Sequence, residues 1–430
     1  MKTKLIFIVL FLLSGQMLWG QFVKNEAFKN RYALKEVVVL SRHNIRSPLS
    51  TAGSLSSRMT PHKWHEWSAG PSQLTLKGGV LETMMGQFFR KWLVNEGLME
   101  ENHEPGKGEF YFYANSMQRT IATAQYFSSG MLPVANIKIE HRYKPSRMDS
   151  VFYPKLHFMS ERYKKLVMKQ IEALGGKMGL EGYCQKLSDC YPVLEKVLDC
   201  EKSESKSTGE FKGFKFDDTQ MLLPLDDEPN MTGSLKIANT LADALVLQYY
   251  EEPDTLKAAF GHNINWKDWE KISKIKDIYC DILFTVPAVS INLARPLLEC
   301  IGKELAEPQR KFAFLCGHDS NICSVLSALG AFDYELPETL EKKAPIGGKV
   351  VFEKWLDRKS NKEYVLFSYV YQSTKQLRNL CLLDLNNPPM IFPLKIKGIA
   401  TNEDGLILMD DLQGKIQTLC QQYDKLKNIY

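Results

Sequence analysis

Two kinds of apolar run share this chain: short strand-like runs that stop at a polar turn, and longer stretches with apolar residues at helical spacing. The first short run, Val37-Val38-Val39-Leu40, is continuous and β-branched, the pattern of a strand covered on both faces. It stops at Ser41-Arg42-His43-Asn44-Ile45-Arg46-Ser47-Pro48, where the proline prevents the strand from continuing. Residues 74–93 carry Leu76, Val80, Leu81, Met84, Met85, Phe88, Phe89 and Trp92 at helical spacing, which predicts a long helix with that stripe in the core. Phe110-Tyr111-Phe112-Tyr113-Ala114 predicts a second strand, followed by the polar turn Asn115-Ser116-Met117-Gln118-Arg119 and a helix from Thr120. Phe312-Ala313-Phe314-Leu315-Cys316-Gly317 predicts a third, which gives way at His318-Asp319 to a helix through residues 322–329.

Between these runs the texture changes. Residues 150–269 are rich in Lys and helical in pattern, with turns at Gly175-Gly176 and across residues 203–213. Asp226-Asp227-Glu228-Pro229 precedes a helix predicted over residues 235–250. This segment reads as a helical cap inserted into an α/β core, not as a second sheet. The tail is β-rich: the turn Pro345-Ile346-Gly347-Gly348 leads into strands at residues 349–355 and 364–371, and a helix near residues 414–427 closes the chain. The expected organisation is therefore a core of residues 21–149 and 270–430 interrupted by a cap of residues 150–269.

Residues 1–20 stand apart. Lys2 and Lys4 precede a short apolar run, and small polar residues follow toward Gln21, the pattern of a cleaved export signal. The run is too short to span a bilayer comfortably, so an exported protein without a stable membrane anchor is expected. The chain of 430 residues has 44% hydrophobic and 24% charged residues, ordinary for a globular protein with a large core. A net charge of +5 without a block of like charges gives no reason to expect nucleic acid. Of the nine cysteines, Cys184, Cys190 and Cys200 lie close enough in sequence for local bridging in an oxidising compartment, whereas Cys316 and Cys323 read as small buried apolar residues.

The chemistry gathers where strands end. Ligands of open α/β sheets sit beyond the carboxyl ends of strands, which is where Arg42, His43 and Arg46 fall, and again Arg119, and again His318 and Asp319. If the first and third strands are adjacent and parallel, their histidines converge. Guanidiniums match phosphate oxygens bidentately, and an imidazole nitrogen among them can attack phosphorus. His62 and His65 have metal-ligand spacing, but no acidic or Cys partner is spaced to complete a site, so no metal is expected there. Trp64 and Trp67 in the same loop read as packed or pocket-lining residues.

Arg42-His43-x-x-Arg46-x-Pro48 together with His318-Asp319 resembles the signature of the histidine acid phosphatases. The likeness runs through residues 61–67, 74–93, 115–125, 317–322, 345–352 and 369–379, nearly the whole chain after the leader. It implies a phosphoglycerate-mutase-like α/β core, with a mixed sheet flanked by helices and an inserted helical cap. It implies that His43 is a nucleophile forming a phosphohistidine and that Arg42, Arg46 and Arg119 hold the equatorial phosphoryl oxygens. His318 would add a donor, and Asp319 would protonate the leaving oxygen and then activate water. No metal or other cofactor is implied, because arginines supply the positive charge. Glu228 matches an acidic residue that contacts the sugar in members that cleave sugar phosphates; its other reading is a charge at a helix N-terminus. Asn44 stands where most members have Gly. Leu49-Ser50 stands where the broad phytases carry Thr-Lys, close to the Leu-Ala of members that cleave glucose 1-phosphate. One departure is in the cysteines: those members bracket a loop near the C-terminus with a Cys pair, and residues 398–405 here have none.

The resemblance implies a periplasmic phosphomonoesterase whose partner is a small sugar phosphate, with phytate as a further substrate. Broader phytase or acid phosphatase activity is the alternative. A phosphosugar mutase and a non-catalytic phosphosugar-binding protein share the same residues. The export signal counts against a mutase, and Asp319 counts against a mere binder.

Overall fold

The computed structural model describes residues 24–49, 55–144 and 146–430, so the leader and Ser50 lie outside the described residues. The chain runs β1 (Tyr32–Arg42), α1 (Leu76–Asn95), β2 (Phe110–Ala114) and α2 (Gln118–Met131). Next come α3 (Glu161–Leu174), the short strands β3 (Gln220–Leu222) and β4 (Asn230–Thr232), and α4 (Ser234–Glu251). Helices α5 (Trp266–Cys280) and α6 (Pro287–Leu305) lead to β5 (Phe312–Gly317) and α7 (Asp319–Leu329). The chain finishes with β6 (Lys349–Asp357), β7 (Glu363–Tyr371), β8 (Met390–Pro393), β9 (Ile407–Leu408) and α8 (Met409–Ile429).

The central sheet has the order β2-β5-β1-β6-β7-β8, with β9 paired to β7. β2, β5 and β1 are parallel; β6 onward is antiparallel, so the sheet is mixed. Its two faces separate by the period-2 rule. Val37, Val39, Phe312 and Phe314 pack with Phe88, Phe89 and Phe127 of α1 and α2. Val38, Leu40, Ala313 and Leu315 pack on the opposite face, in one cluster with Leu245 of α4, Ile272 of α5, Leu297 of α6 and Val325 of α7. Burial on both faces explains why β1 and β5 read as uninterrupted apolar runs. Phe127 stacks on Phe314 with ring centroids 4.3 Å apart. Each such buried side chain contributes about 2 kcal/mol through removal from water.

The periodicity of α1 holds over Leu81, Met85, Phe88 and Phe89, but Leu76 and Val80 are exposed, at 67% and 42%. They fall outside the stripe because Gly78, Gly79 and Gly86 take the closest contacts. At Gly86 a β-carbon would meet the Phe127 carbonyl oxygen of α2 at 2.1 Å, so the two helices approach backbone to backbone.

Residues 150–269 are helical apart from the β3–β4 ribbon, paired from Gln220↔Thr232 to Leu222↔Asn230. The all-helical expectation misses that ribbon, whose connecting loop carries Glu228. Tyr163 and Val167 of α3 belong to the same apolar cluster as the sheet residues Val38 and Leu40, so this segment shares the core of the sheet. Cys184, Cys190 and Cys200 are buried, unbridged thiols in that cluster, contrary to the expectation of local bridging. Burial pushes the thiols of Cys190 and Cys200 up to about 12. They serve as small apolar packing residues. Among the described residues, no single helix is long and apolar enough to cross a membrane.

Candidate active site

Register sets the site. Arg42 pairs with Gly317 across β1 and β5, and Ala114 pairs with Cys316 across β2 and β5, so the three parallel strands end level. The next residues on each, His43, His318 and Asn115, are all buried. The rings of His43 and His318 lie 5.5 Å apart and nearly perpendicular.

The turn before β6 seats the Arg42-His43 backbone. Arg42 N–H donates to Gly348 O at 2.9 Å, and Gly347 N–H donates to His43 O at 3.1 Å. Gly347 has φ +64°, and a β-carbon there would lie 2.4 Å from Asn44 Nδ2, so only glycine fits. Asn44 is tied from below: its Nδ2 donates to Glu82 Oε1 at 2.7 Å, and its N–H to Thr123 Oγ1 at 3.2 Å. Glu82 is itself paired with the fully buried Lys349, whose Nζ lies 3.1 Å from both carboxylate oxygens. That buried pair is why an amide side chain, and not a bare glycine, follows the histidine.

His43 Nδ1 lies 2.8 Å from Asn44 O. A carbonyl only accepts, so Nδ1 carries the proton and Nε2 keeps its lone pair. Burial, then the positive charges of Arg119, Arg42 and Arg46, hold the imidazole well below its usual range, so it stays neutral in mild acid.

His318 has the opposite arrangement. Asn115 Oδ1 accepts from Asp149 N–H at 2.8 Å, which fixes the amide and turns its Nδ2 donor onto His318 Nε2 at 2.7 Å. Nε2 is therefore the acceptor and Nδ1 carries the proton. That Nδ1–H faces Arg119 Nη2, another donor, at 3.4 Å. Burial first, then Arg119, keeps His318 neutral as well.

Arg42 and Arg46 are buried and Arg119 is half-buried, and all three are only partly satisfied. Arg42 Nη1 donates to Glu341 Oε1 and Ala344 O, both at 2.5 Å. Arg46 donates to Asp243 Oδ2 at 2.9 Å and to Ser47 O at 3.1 Å. Among the described residues, the Nε–H of Arg42, of Arg46 and of Arg119 has no partner. Burial, then Arg46, lowers Arg119 to about 10, which still leaves it a cation at neutral pH.

Asp319 opens α7 and accepts from Ser320 N–H at 3.0 Å. Its Oδ2 lies 3.0 Å from Lys276 Nζ and 3.4 Å from Arg42 Nη2. Burial favours the protonated form, but Lys276 and Arg42 outweigh it and hold the carboxyl well below the carboxylate range. Lys276, on α5, also reaches Asp243 Oδ1 at 2.9 Å and Glu341 Oε1 at 3.4 Å. Sequence reasoning missed this base of Lys276, Asp243 and Glu341, and it missed Asn115. A signal existed for the lysine: Trp269, Ile272, Lys276 and Tyr279 share one helical stripe, so a cation falls on an apolar face. Asp243 interrupts the run Leu241-Ala242-Asp243-Ala244-Leu245 in the same way.

Glu228 sits in the β3–β4 loop, with β4 between it and α4, so it is not a first-turn helix charge. Its carboxyl is pushed up to about 7 by burial and then by Asp319, while Lys236 and Arg119 pull the other way. Two of the charges that act on it, Asp319 and Arg119, belong to the site. His62 and His65 do not face a common ion: His65 Nδ1 lies 3.5 Å from Glu252 Oε2, and His62 points to Asp199. Trp64 and Trp67 are half-buried and line a cavity of about 470 Å³ with Pro48, so the loop borders the end of the opening motif. Leu49 is 63% exposed beside it.

Guanidiniums beside two neutral imidazoles, one offering a lone pair and the other an N–H, with a carboxylate alongside, suit a phosphoryl group. The chain belongs to the histidine phosphatase superfamily (branch 2), whose profile matches residues 33–370. It is 35% identical to the glucose-1-phosphatase of Salmonella typhimurium over 422 residues, covering 97% of this chain and 99% of that one. It is 36% identical to the glucose-1-phosphatase of Providencia rettgeri over 385 residues, covering 88% and 90%. Among solved structures, the apo phytase of Hafnia alvei superposes with a TM-score of 0.82 at 26% identity, over 91% of this chain and 98% of that one.

Proposed function

We propose that this chain is an exported phosphomonoesterase that hydrolyses glucose 1-phosphate and similar sugar phosphates through a phosphohistidine on His43. One observation carries the reading. His318 Nδ1–H and Arg119 Nη2 are two donors facing each other across 3.4 Å, and a single anionic oxygen between them satisfies both. The Nε–H groups of Arg42, Arg46 and Arg119, without partners among the described residues, supply further donors to the same anion.

His43 Nε2 attacks phosphorus with its lone pair as the bond to the sugar oxygen breaks. The departing oxygen takes the proton of Asp319. Water then gives a proton to the Asp319 carboxylate and attacks phosphorus, and the P–N bond returns its electrons to Nε2. Asp319 needs a proton at the first step, although Lys276 and Arg42 hold it ionised. A phosphoryl dianion beside it opposes those cations, so the proton is taken up with substrate. The arginines hold the three outer oxygens where charge develops. The core of residues 21–149 and 270–430 carries this chemistry, and the cap of residues 150–269 supplies the wall that meets the sugar.

Glu228 sets the substrate class: a carboxylate there accepts from sugar hydroxyls and repels additional phosphates. Leu49 gives no cation to hold a second phosphate. Glucose 1-phosphate should outperform phytate, and phytate should lose a single phosphate. Phosphate release across sugar and inositol phosphates, with chromatography of the inositol products, tests this. A ladder of lower inositol phosphates from the wild type overturns the substrate assignment, and Glu228→Ala should produce such a ladder.

A further inference from the structure

The Pro61–Trp67 loop leaves one group that the phosphatase reading does not use. His62 Nε2 lies 2.7 Å from Asp199 Oδ2, and His262 Nε2 lies 3.0 Å from the same oxygen. The three ligand atoms all fall within 4.8 Å of one another. They come from three segments: the loop after β1, the turn at Asp199 and the residues just before α5. Phe260 stacks on the His62 ring at 5.0 Å, and Trp64 meets Phe260 edge-on at 5.1 Å, which holds the imidazole plane. Lys202 Nζ takes the other Asp199 oxygen, at 3.1 Å, so Oδ2 alone faces the imidazoles.

We propose that His62, Asp199 and His262 form a zinc site that fastens the loop of residues 61–67 to the cap. Donor atoms bound at about 2.0–2.1 Å around a tetrahedral ion stand about 3.3 Å apart, so small side-chain rotations open the two observed contacts enough to admit one. Two imidazole nitrogens and one carboxylate oxygen form a borderline donor set that suits zinc; calcium and magnesium require oxygen cages. Three protein ligands leave the fourth position to water, the coordination of an exchangeable ion. Because His62 and Trp64 line the cavity beside Pro48, the ion stiffens the wall next to the phosphoryl site without entering it.

The site is separate from the arginine clamp, so its failure and failure of the phosphatase reading are distinguishable. Calorimetric titration of zinc chloride into chelator-stripped full-length protein should give one ion per chain. His262→Ala and, as a second variant, His62→Gln should each weaken binding by more than about a hundredfold, the upper range for losing a mere supporting partner of a ligand. Asp199→Asn should weaken it too while keeping a residue that tolerates the left-handed backbone at φ +48°. Zinc should slow amide exchange across residues 61–67 in the wild type but not in His262→Ala. Stripped protein should retain turnover of an aryl phosphate. Absence of stoichiometric zinc binding, or binding unchanged in both histidine variants, overturns the proposal and leaves two imidazole N–H groups clamping one carboxylate.

Discussion

The ends of β1 and β5 present the same residue type in the same place with opposite chemistry. Both histidines are buried, neutral and level with each other across a parallel pair. At the end of β1, a main-chain carbonyl one residue on takes the Nδ1 proton and leaves a lone pair on Nε2. At the end of β5, a side-chain amide from β2 caps Nε2 and leaves a proton on Nδ1. One imidazole is poised to attack and the other to donate, and a single hydrogen bond decides which. The difference lies in what backs each ring, and the position on the sheet has no part in it.

The sharpest way to break this comparison is to remove each ring in turn. His43→Ala should abolish turnover and the acid-labile phosphoenzyme trapped by rapid quench. His318→Ala should still form the adduct, slowed about a hundredfold to a thousandfold, as for the loss of one oxyanion donor. If the adduct disappears in His318→Ala and persists in His43→Ala, the roles are exchanged. Asp319→Asn should come next in size. It should slow sugar phosphates by two or more orders of magnitude (~100-fold) and aryl phosphates far less, because only an alkoxide needs a proton as it leaves. Equal losses on both would remove Asp319 from that task.

Smaller effects sharpen the comparison. Asn115→Leu removes the amide that caps His318 Nε2 and frees the proton to move there. Turnover should fall about tenfold, less than for losing the donor itself, with the His43 adduct still forming. No change would mean that Asn115 does not set the His318 tautomer. Lys276→Met takes away the first cation that holds Asp319 down, so its carboxyl should rise. The basic limb of kcat/KM for a sugar phosphate should move to higher pH, since the acid form then persists further. The acid limb, set by the depressed His43, should stay below pH ~6.5 in both proteins, because a lowered imidazole keeps its free base as pH falls. A fixed basic limb in Lys276→Met would sever Lys276 from Asp319.

What the sequence disclosed follows from how far apart the partners lie. Arg42, His43 and Arg46 are written within five residues at the end of a strand, and His318-Asp319 within two, so each cluster is legible where it stands. Two continuous apolar runs disclosed two buried strands, but that they lie adjacent and parallel was only a condition in the sequence, met by the structure. The partners that set protonation come from elsewhere. Asn115 reaches over from the neighbouring strand, and Lys276, Asp243 and Glu341 arrive from two helices and a loop. Lys276 and Asp243 were each one polar residue on an otherwise apolar helix face, and Asn115 and Glu341 were polar residues among others in a turn and a loop, so their meaning depends on what they meet. The pairing of His62 with His65 was suggested by spacing and is undone by the fold, which sends the two side chains to different carboxylates.

Asn44 carries a consequence for ancestry. Its amide links the nucleophile's neighbour to a buried Glu82–Lys349 pair, and Gly347 leaves the room it occupies. Replacing Asn44 with glycine takes a hydrogen bond from a fully buried carboxylate. The four positions therefore depend on one another. Relatives with glycine at this point should differ together at positions 82, 347 and 349, and a graft of the opening motif between such lineages should fail unless the whole block travels with it.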